Sequence, residues 1–237
     1  MSIPFAQKMT IPFSASLSAY ADAKSVADVC YYTDYDGVDD NRSSTDASLK
    51  SANKWTLCTE MYLDSGSATN SRMMGNLGGG TGGYIFAYKN TGDIRFYVHD
   101  GTTAGDFTWV GGVAAINNQF VKMVATITNA KRELFVDIND TNGLVSRGTN
   151  TTALTIENGG YGDFQFGSTG STEFTKSRIR NTQIYTGEAT NPTAWVTSDT
   201  TTLSGVALVL QSDDGGSNIE TGQVFTTGGA PVRTECP

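Results

Sequence analysis

The chain predicts an all-β fold, a two-sheet antiparallel jelly-roll sandwich with extended terminal arms, and three observations carry that expectation. Between Gly83 and Ile138 two consecutive pairs of segments alternate apolar and polar residues with period two. About ten short runs of this kind recur along the chain, separated by turns rich in Gly, Asn, Asp and Thr, with almost no helical period. Charged residues make up only 17% of the chain while Gly reaches 27 residues, a mix of extracellular or virion β proteins rather than helical enzymes. At 237 residues a single sandwich is of ordinary size.

Taken in order, residues 1–29 form an N-terminal arm. Ile-Pro-Phe repeats at Ile3-Pro4-Phe5 and Ile11-Pro12-Phe13. Proline lacks the amide donor and holds the preceding residue extended, so this arm is no central strand. Its apolar side chains need a surface, either the arm's own domain or a neighbouring subunit. From Ser14 to Val29, Leu17, Tyr20, Ala21, Lys24 and Ala27 recur at helical spacing, compatible with one short helix. The jelly roll is placed at 30–202. Cys30 to Asn41 reads as a strand and an acidic turn; Lys54 to Asp64 is a strong strand with Trp55, Leu57, Thr59, Met61 and Leu63 on one face.

A polar loop and the segment Arg72-Met73-Met74-Gly75 come next, followed by the two hairpins. In the first, Tyr84, Phe86 and Tyr88 share a face, and so do Ile94, Phe96 and Val98 across the turn Asn90-Thr91-Gly92-Asp93. In the second, Val121, Met123, Ala125 and Ile127 precede an Asn129-Ala130-Lys131 turn, with Leu134, Val136 and Ile138 after it. Phe107 to Ile116 is expected as a strand broken at Gly111-Gly112. Further strands are expected at ALTIE (153–157), GDFQFGS (162–168), FTKSRIRNTQIYT (174–186) and VALVLQS (206–212), with a single helical turn at Asn191-Pro192-Thr193-Ala194-Trp195. Residues 203–237 supply a C-terminal strand and a tail that completes or anchors the domain.

The formal charge is −8 with 16 scattered basic residues, which excludes a nucleic-acid partner, since phosphate binding needs clustered Lys and Arg. No apolar run approaches the ~20 residues of a membrane span, so no membrane insertion is expected. The first residues lack the charged-then-apolar pattern of a signal peptide, which points to assembly in a host cytoplasm. Cys30, Cys58 and Cys236 are odd in number and are expected as free thiols.

The order of motifs resembles the concanavalin A-like, laminin G-type jelly-roll family over roughly residues 30–200. An opening aspartate-glycine turn stands at Tyr35-Asp36-Gly37-Val38-Asp39-Asp40, followed by the strand Trp55-Thr56-Leu57-Cys58-Thr59-Glu60-Met61-Tyr62 and by a glycine-rich turn before the hairpin. Leu134-Phe135-Val136-Asp137-Ile138-Asn139 stands where the family has a tyrosine-valine-aspartate-glycine signature, without its glycine. Ile179-Arg180-Asn181-Thr182-Gln183-Ile184-Tyr185 matches a closing strand whose two acidic residues are replaced here. The resemblance implies the sandwich fold, and the fold by itself assigns no function, because it hosts lectins, adhesion modules, glycosidases and virion parts.

The family sometimes holds calcium at the sandwich rim, where turn oxygens converge on a hard cation. Asp36, Asp39 and Asp40 in one turn and Asp213 and Asp214 in another are the candidates, against the plainer reading of solvated turns. Calcium is the one cofactor weighed; otherwise none is expected. Glycosidases of this fold set paired carboxylates along one strand. Glu133 and Asp137 share a face with Phe135, but the two-residue acidic steps are missing and an exposed polar face is the expectation. His99, the single histidine, has no evident nucleophile beside it, and Gly78 to Gly83 lacks the lysine and helix of a phosphate cradle, so it reads as a loop tip. No catalytic set is therefore expected.

A pyranose offers an apolar face ringed by hydroxyls, so a sugar site needs an aromatic platform with amides or carboxylates beside it. Tyr84, Tyr97 and Trp109 with Asn76 are the first candidates; Tyr62, Tyr88 and Tyr161 are others. Laminin G-like sequences of this Thr-, Gly- and Asn-rich type resemble modules on tailed-phage particles. The resemblance implies a bacteriophage structural protein, a capsid-decorating or tail or fibre component on the virion surface. Its partners would be other capsid or tail subunits, further copies of itself, and a cell-surface glycan. A free microbial carbohydrate-binding or adhesion module is the alternative.

Overall fold

Alternating sequences fold as strands because each pleat sends one set of side chains inward and leaves the other outside. The computed structural model describes residues 31–45, 54–64, 71–76, 83–138, 143–155, 162–168, 174–185, 206–210 and 226–235. Among these the strands are β1 (Tyr31–Asp36), β2 (Asn41–Ser44), β3 (Lys54–Leu63), β4 (Ser71–Gly75), β5 (Gly83–Asn90), β6 (Asp93–His99) and β7 (Phe107–Trp109). A short helix α1 (Gly112–Ile116) follows, then β8 (Phe120–Thr128), β9 (Arg132–Asp137), β10 (Val145–Asn150), β11 (Phe164–Phe166), β12 (Lys176–Tyr185), β13 (Val206–Leu210), β14 (Thr226–Gly228) and β15 (Val232–Glu235).

They form two antiparallel sheets. One has eight strands in the order β10-β9-β8-β3-β12-β1-β15, with β13 also paired to β12; the other has seven, in the order β14-β2-β11-β4-β5-β6-β7. Each sheet is thus completed at one edge by the C-terminal segment, β15 beside β1 and β14 beside β2.

The core lies between the sheets. Trp55, Leu57, Met61 and Leu63 of β3 meet Met123, Ala125, Leu134 and Ile179 of the same sheet and Tyr84, Phe86, Phe96, Phe164 and Phe166 of the other. Trp55 and Tyr84 stack edge-on across the gap with centroids 4.2 Å apart. Each such aromatic or aliphatic side chain contributes about 1.5–3 kcal/mol by leaving water.

Three sequence expectations change. GGVAAI is a helical turn rather than strand: Gly111 takes φ +71 at its N-cap, a left-handed geometry that breaks β7 after Trp109. Ala153 to Thr155 of ALTIE are not strand, whereas the polar Val145–Asn150 is. The N-terminal arm with Ile3, Pro4, Phe5, Ile11, Pro12 and Phe13, the Ser14 to Val29 helix, the Asn191 to Trp195 turn, Cys30, Cys236, Asp213 and Asp214 all lie outside the described residues. Cys58 is a buried free thiol, and burial pushes its pKa above the ordinary thiol value.

Candidate functional site

The outer face of the eight-stranded sheet carries the residues that alternate with the core positions. Cross-strand register sets them in rows. One row is Asp34 of β1, Arg178 of β12, Tyr62 of β3 and Phe120 of β8. The next contains Arg180, Glu60, Lys122 and Asp137 on β12, β3, β8 and β9. Tyr32 lies beyond Arg178 on β1.

These side chains lean inward. Tyr32 and Phe120 stand on strands three steps apart, about 14 Å of sheet at ~4.8 Å per step, yet their ring centroids are 5.6 Å apart. Tyr62 and Phe120 are 5.5 Å apart. Beneath them the Arg178 guanidinium lies 4.5 Å from the Tyr62 ring and 5.2 Å from Tyr32, and Arg180 lies 4.3 Å from Phe120. Carboxylates hold both cations: Arg178 Nε is 3.5 Å from Asp34 Oδ2, and Arg180 Nε donates to Glu60 Oε2 at 2.6 Å. The result is an aromatic patch in which Tyr62 and Phe120 are half-buried and Tyr32 is buried, with two guanidinium groups against the rings and Asn118 Oδ1 as an acceptor for the Tyr62 hydroxyl.

An open cleft of about 690 Å³ continues this face from Asp34 toward the sheet edge, lined by Asp36, Lys176, Val232, Thr234 and the acidic turn. In that turn Asp36, Asp39 and Asp40 bring carboxylate oxygens within 4.8 Å of one another. Two of these carboxylates also build the turn. Asp36 Oδ1 accepts from the amides of Val38 and Asp39; Asp40 Oδ2 accepts from Asp36 N at 2.9 Å and its Oδ1 from Ala230 N at 2.6 Å. Calcium takes six to eight oxygens; in this turn Asp36 Oδ1 and both Asp40 carboxylate oxygens already accept backbone amides. Gly37 to Asp40 thus owes its acidic character at least to backbone hydrogen bonding.

The sugar-platform candidates are corrected by their burial. Tyr84 is 1% exposed and Trp109 8%, both inside the core cluster, and Asn76 accepts a hydrogen bond from Tyr84 N in a fully buried position. Alternation misleads here because both faces of a hairpin carry aromatics. Tyr97 alone of the four faces outward, on the other sheet, stacked parallel to His99 at 6.0 Å with Arg95 over it at 5.4 Å. Tyr62 is the sequence candidate that belongs to the aromatic patch. Tyr32, Phe120, Asp34 and Arg178 were not anticipated; the signal is the i, i+2 arginine pair of SRIRN, opposite the polar positions of KWTLCTEMYL.

Glu133 and Asp137 do share the outer face, but Asp137 is buried rather than exposed. Glu133 is held below its ordinary pKa; partial burial pushes the other way, and the hydrogen bonds from Lys131 and Ser146 prevail. His99 Nδ1 accepts from Gly101 N, a turn contact. Among the described residues no nucleophile, base and orienting group converge, and no helix is long and apolar enough to cross a membrane.

Residues 36–193 match the family model of the concanavalin A-like lectin/glucanases superfamily. No curated protein matches the chain in sequence. Among solved structures, a candidate carbohydrate-binding protein of Bacteroides ovatus ATCC 8483 superposes with a TM-score of 0.60 at 11% identity, over 87% of this chain and 60% of that one. A heptameric SAP-like pentraxin of Limulus polyphemus gives 0.54 at 10% identity, over 87% and 95%. Domains LG4-5 of the mouse laminin α1 chain give 0.51 at 12%, over 66% and 41%. The chain thus spans less than two thirds of the Bacteroides protein and of the laminin pair; at these identities the likeness is one of fold.

Proposed function

Since the chain belongs to the concanavalin A-like lectin/glucanases superfamily, through its laminin G-type branch, we propose that it is a non-catalytic sugar-binding module displayed on the surface of a bacteriophage particle. The observation that carries sugar binding is this aromatic patch. Tyr62 and Phe120, half-buried, offer ring surface on which a pyranose can lay its C–H bonds, and Asp34, Arg178 and Asn118 stand at its margin to meet hydroxyls. The fold it shares with a candidate carbohydrate-binding protein supports this.

Glycan binding is tested on a glycan array followed by calorimetry of the best hit. Replacing Tyr62 or Phe120 by alanine is expected to weaken binding about tenfold or more, while the stacked residue Tyr97, on the opposite sheet, can be changed without effect. Chelation is expected to leave the affinity unchanged, since ring faces, a carboxylate and a guanidinium make the contacts under this reading; a calcium requirement would instead assign the Asp36, Asp39 and Asp40 turn to the site. An array without hits removes the sugar-binding reading.

The virion setting rests on the sequence: the repeated Ile3-Pro4-Phe5 and Ile11-Pro12-Phe13 arm suits attachment to a neighbouring subunit, and the composition suits an extracellular or virion β protein. Partners under this reading are capsid or tail subunits and further copies of the chain. Imaging of purified particles is expected to show the sandwich on the outside with its arm against a neighbour. Absence of the chain from washed particles overturns it.

A further inference from the structure

Resting on the sugar-binding reading above, we infer that the aromatic patch selects neutral sugars bearing two adjacent free hydroxyls, with Asp34 and Arg178 as the pair that reads them. Charge balance comes first. In the rows around the patch each cation stands beside a carboxylate of a neighbouring strand: Lys176 by Asp36, Arg178 by Asp34, Arg180 and Lys122 by Glu60, and Lys122 also by Asp137. No positive surplus remains for the carboxylate or sulfate of an acidic sugar, and the chain as a whole carries −8. An anionic ligand would have to displace Asp34 from Arg178 or sit against it unneutralised.

Exposure then separates the two arginine pairs. Arg180 and Glu60 are 22% and 3% exposed at their side chains, so that pair is closed within the sheet. Arg178 and Asp34 are 32% and 37% exposed. Arg178 Nε lies 3.5 Å from Asp34 Oδ2 and the guanidinium carbon 4.5 Å from the Tyr62 ring centroid and 5.2 Å from that of Tyr32, so a donor group and an acceptor stand together on this margin. A donor and an acceptor set side by side in this way match two neighbouring ring hydroxyls, one donating to Asp34 and the next accepting from Arg178, while the apolar face of the ring rests on Tyr62 and Phe120. The cleft that opens at Asp34 gives the rest of an oligosaccharide a way out along β1 and β15.

The test uses the full chain and an array carrying neutral, uronic-acid and sialic-acid glycans, then calorimetry with the best neutral hit and its singly deoxygenated derivatives. Loss of either adjacent hydroxyl is expected to weaken binding about ten- to a hundredfold, as are Asp34→Asn and Arg178→Lys, each checked for an unchanged circular dichroism spectrum and melting temperature. Uronic or sialic glycans should bind no better than their neutral counterparts. Preference for acidic glycans, or indifference to the deoxy sugars, overturns the selectivity and leaves sugar binding standing. An array with no hit of any kind overturns both.

Discussion

Replacing Arg132 by methionine is expected to cost about 3–5 kcal/mol of folding stability, because it removes a buried cation and orphans the acceptors gathered round it. Arg132 is fully buried at the start of β9. Its Nε donates to Gly105 O at 3.2 Å, Nη1 to Asn129 O at 3.3 Å, and Nη2 to Asn150 Oδ1 at 2.8 Å and to Thr152 O at 2.5 Å. Burial pulls the pKa of this guanidinium below its usual range, and the four hydrogen bonds offset that cost. One side chain thereby ties together the β6–β7 loop, the β8–β9 turn and the end of β10. Urea unfolding monitored by Trp fluorescence measures the loss; a change under 1 kcal/mol would show that the loops hold without it. Arg132→Lys should recover little, since one ammonium cannot reach acceptors spread around a planar fork.

The second large effect is expected at Asp40. Its carboxylate is 4% exposed and accepts from Asp36 N and from Ala230 N, joining the acidic turn to the C-terminal segment 190 residues further along the chain. Alanine there should cost about 2–4 kcal/mol, two charge-assisted hydrogen bonds being lost together. Amide exchange should locate the damage: faster exchange in β14 and β15, with β3 and β8 keeping their protection. Asp39→Ala, in the exposed part of the same turn, should stay within about 0.5 kcal/mol of the parent. Uniform loss of protection across both sheets would mean that Asp40 supports the whole fold rather than the closure of its edge.

The sandwich was legible in the sequence wherever a strand buries one face, as in Ile94, Phe96 and Val98 of β6, because apolar alternation records a one-sided core. It was not legible at β10. Val145–Asn150 lies at the sheet edge with both faces largely exposed, so nothing selects apolar residues there. Gly148 is a point of close approach, where a Cβ would come within 2.5 Å of the Phe107 ring. The aromatic patch escaped for another reason. Tyr32, Tyr62, Phe120, Asp34 and Arg178 belong to four strands dispersed over the chain, and only the register of β1, β12, β3 and β8 brings them together. Alternation told which faces Tyr62 and Arg178 take, but not which strands are neighbours. Tyr84 and Trp109 show the converse, aromatic residues that look like a platform in sequence and fill the core in space.

The pairing of β15 with β1 also sets a timetable. Tyr31 lies opposite Glu235, so the edge of the eight-stranded sheet stays unpaired until nearly all of the sandwich has left the ribosome. Contacts of such long separation in sequence close slowly, and until they do β1 and β2 present open edges on which another chain can pair. Synthesis at high local concentration therefore favours exchange of the C-terminal strands between copies, and truncation before Thr226 should yield a product that associates rather than one that merely unfolds more easily.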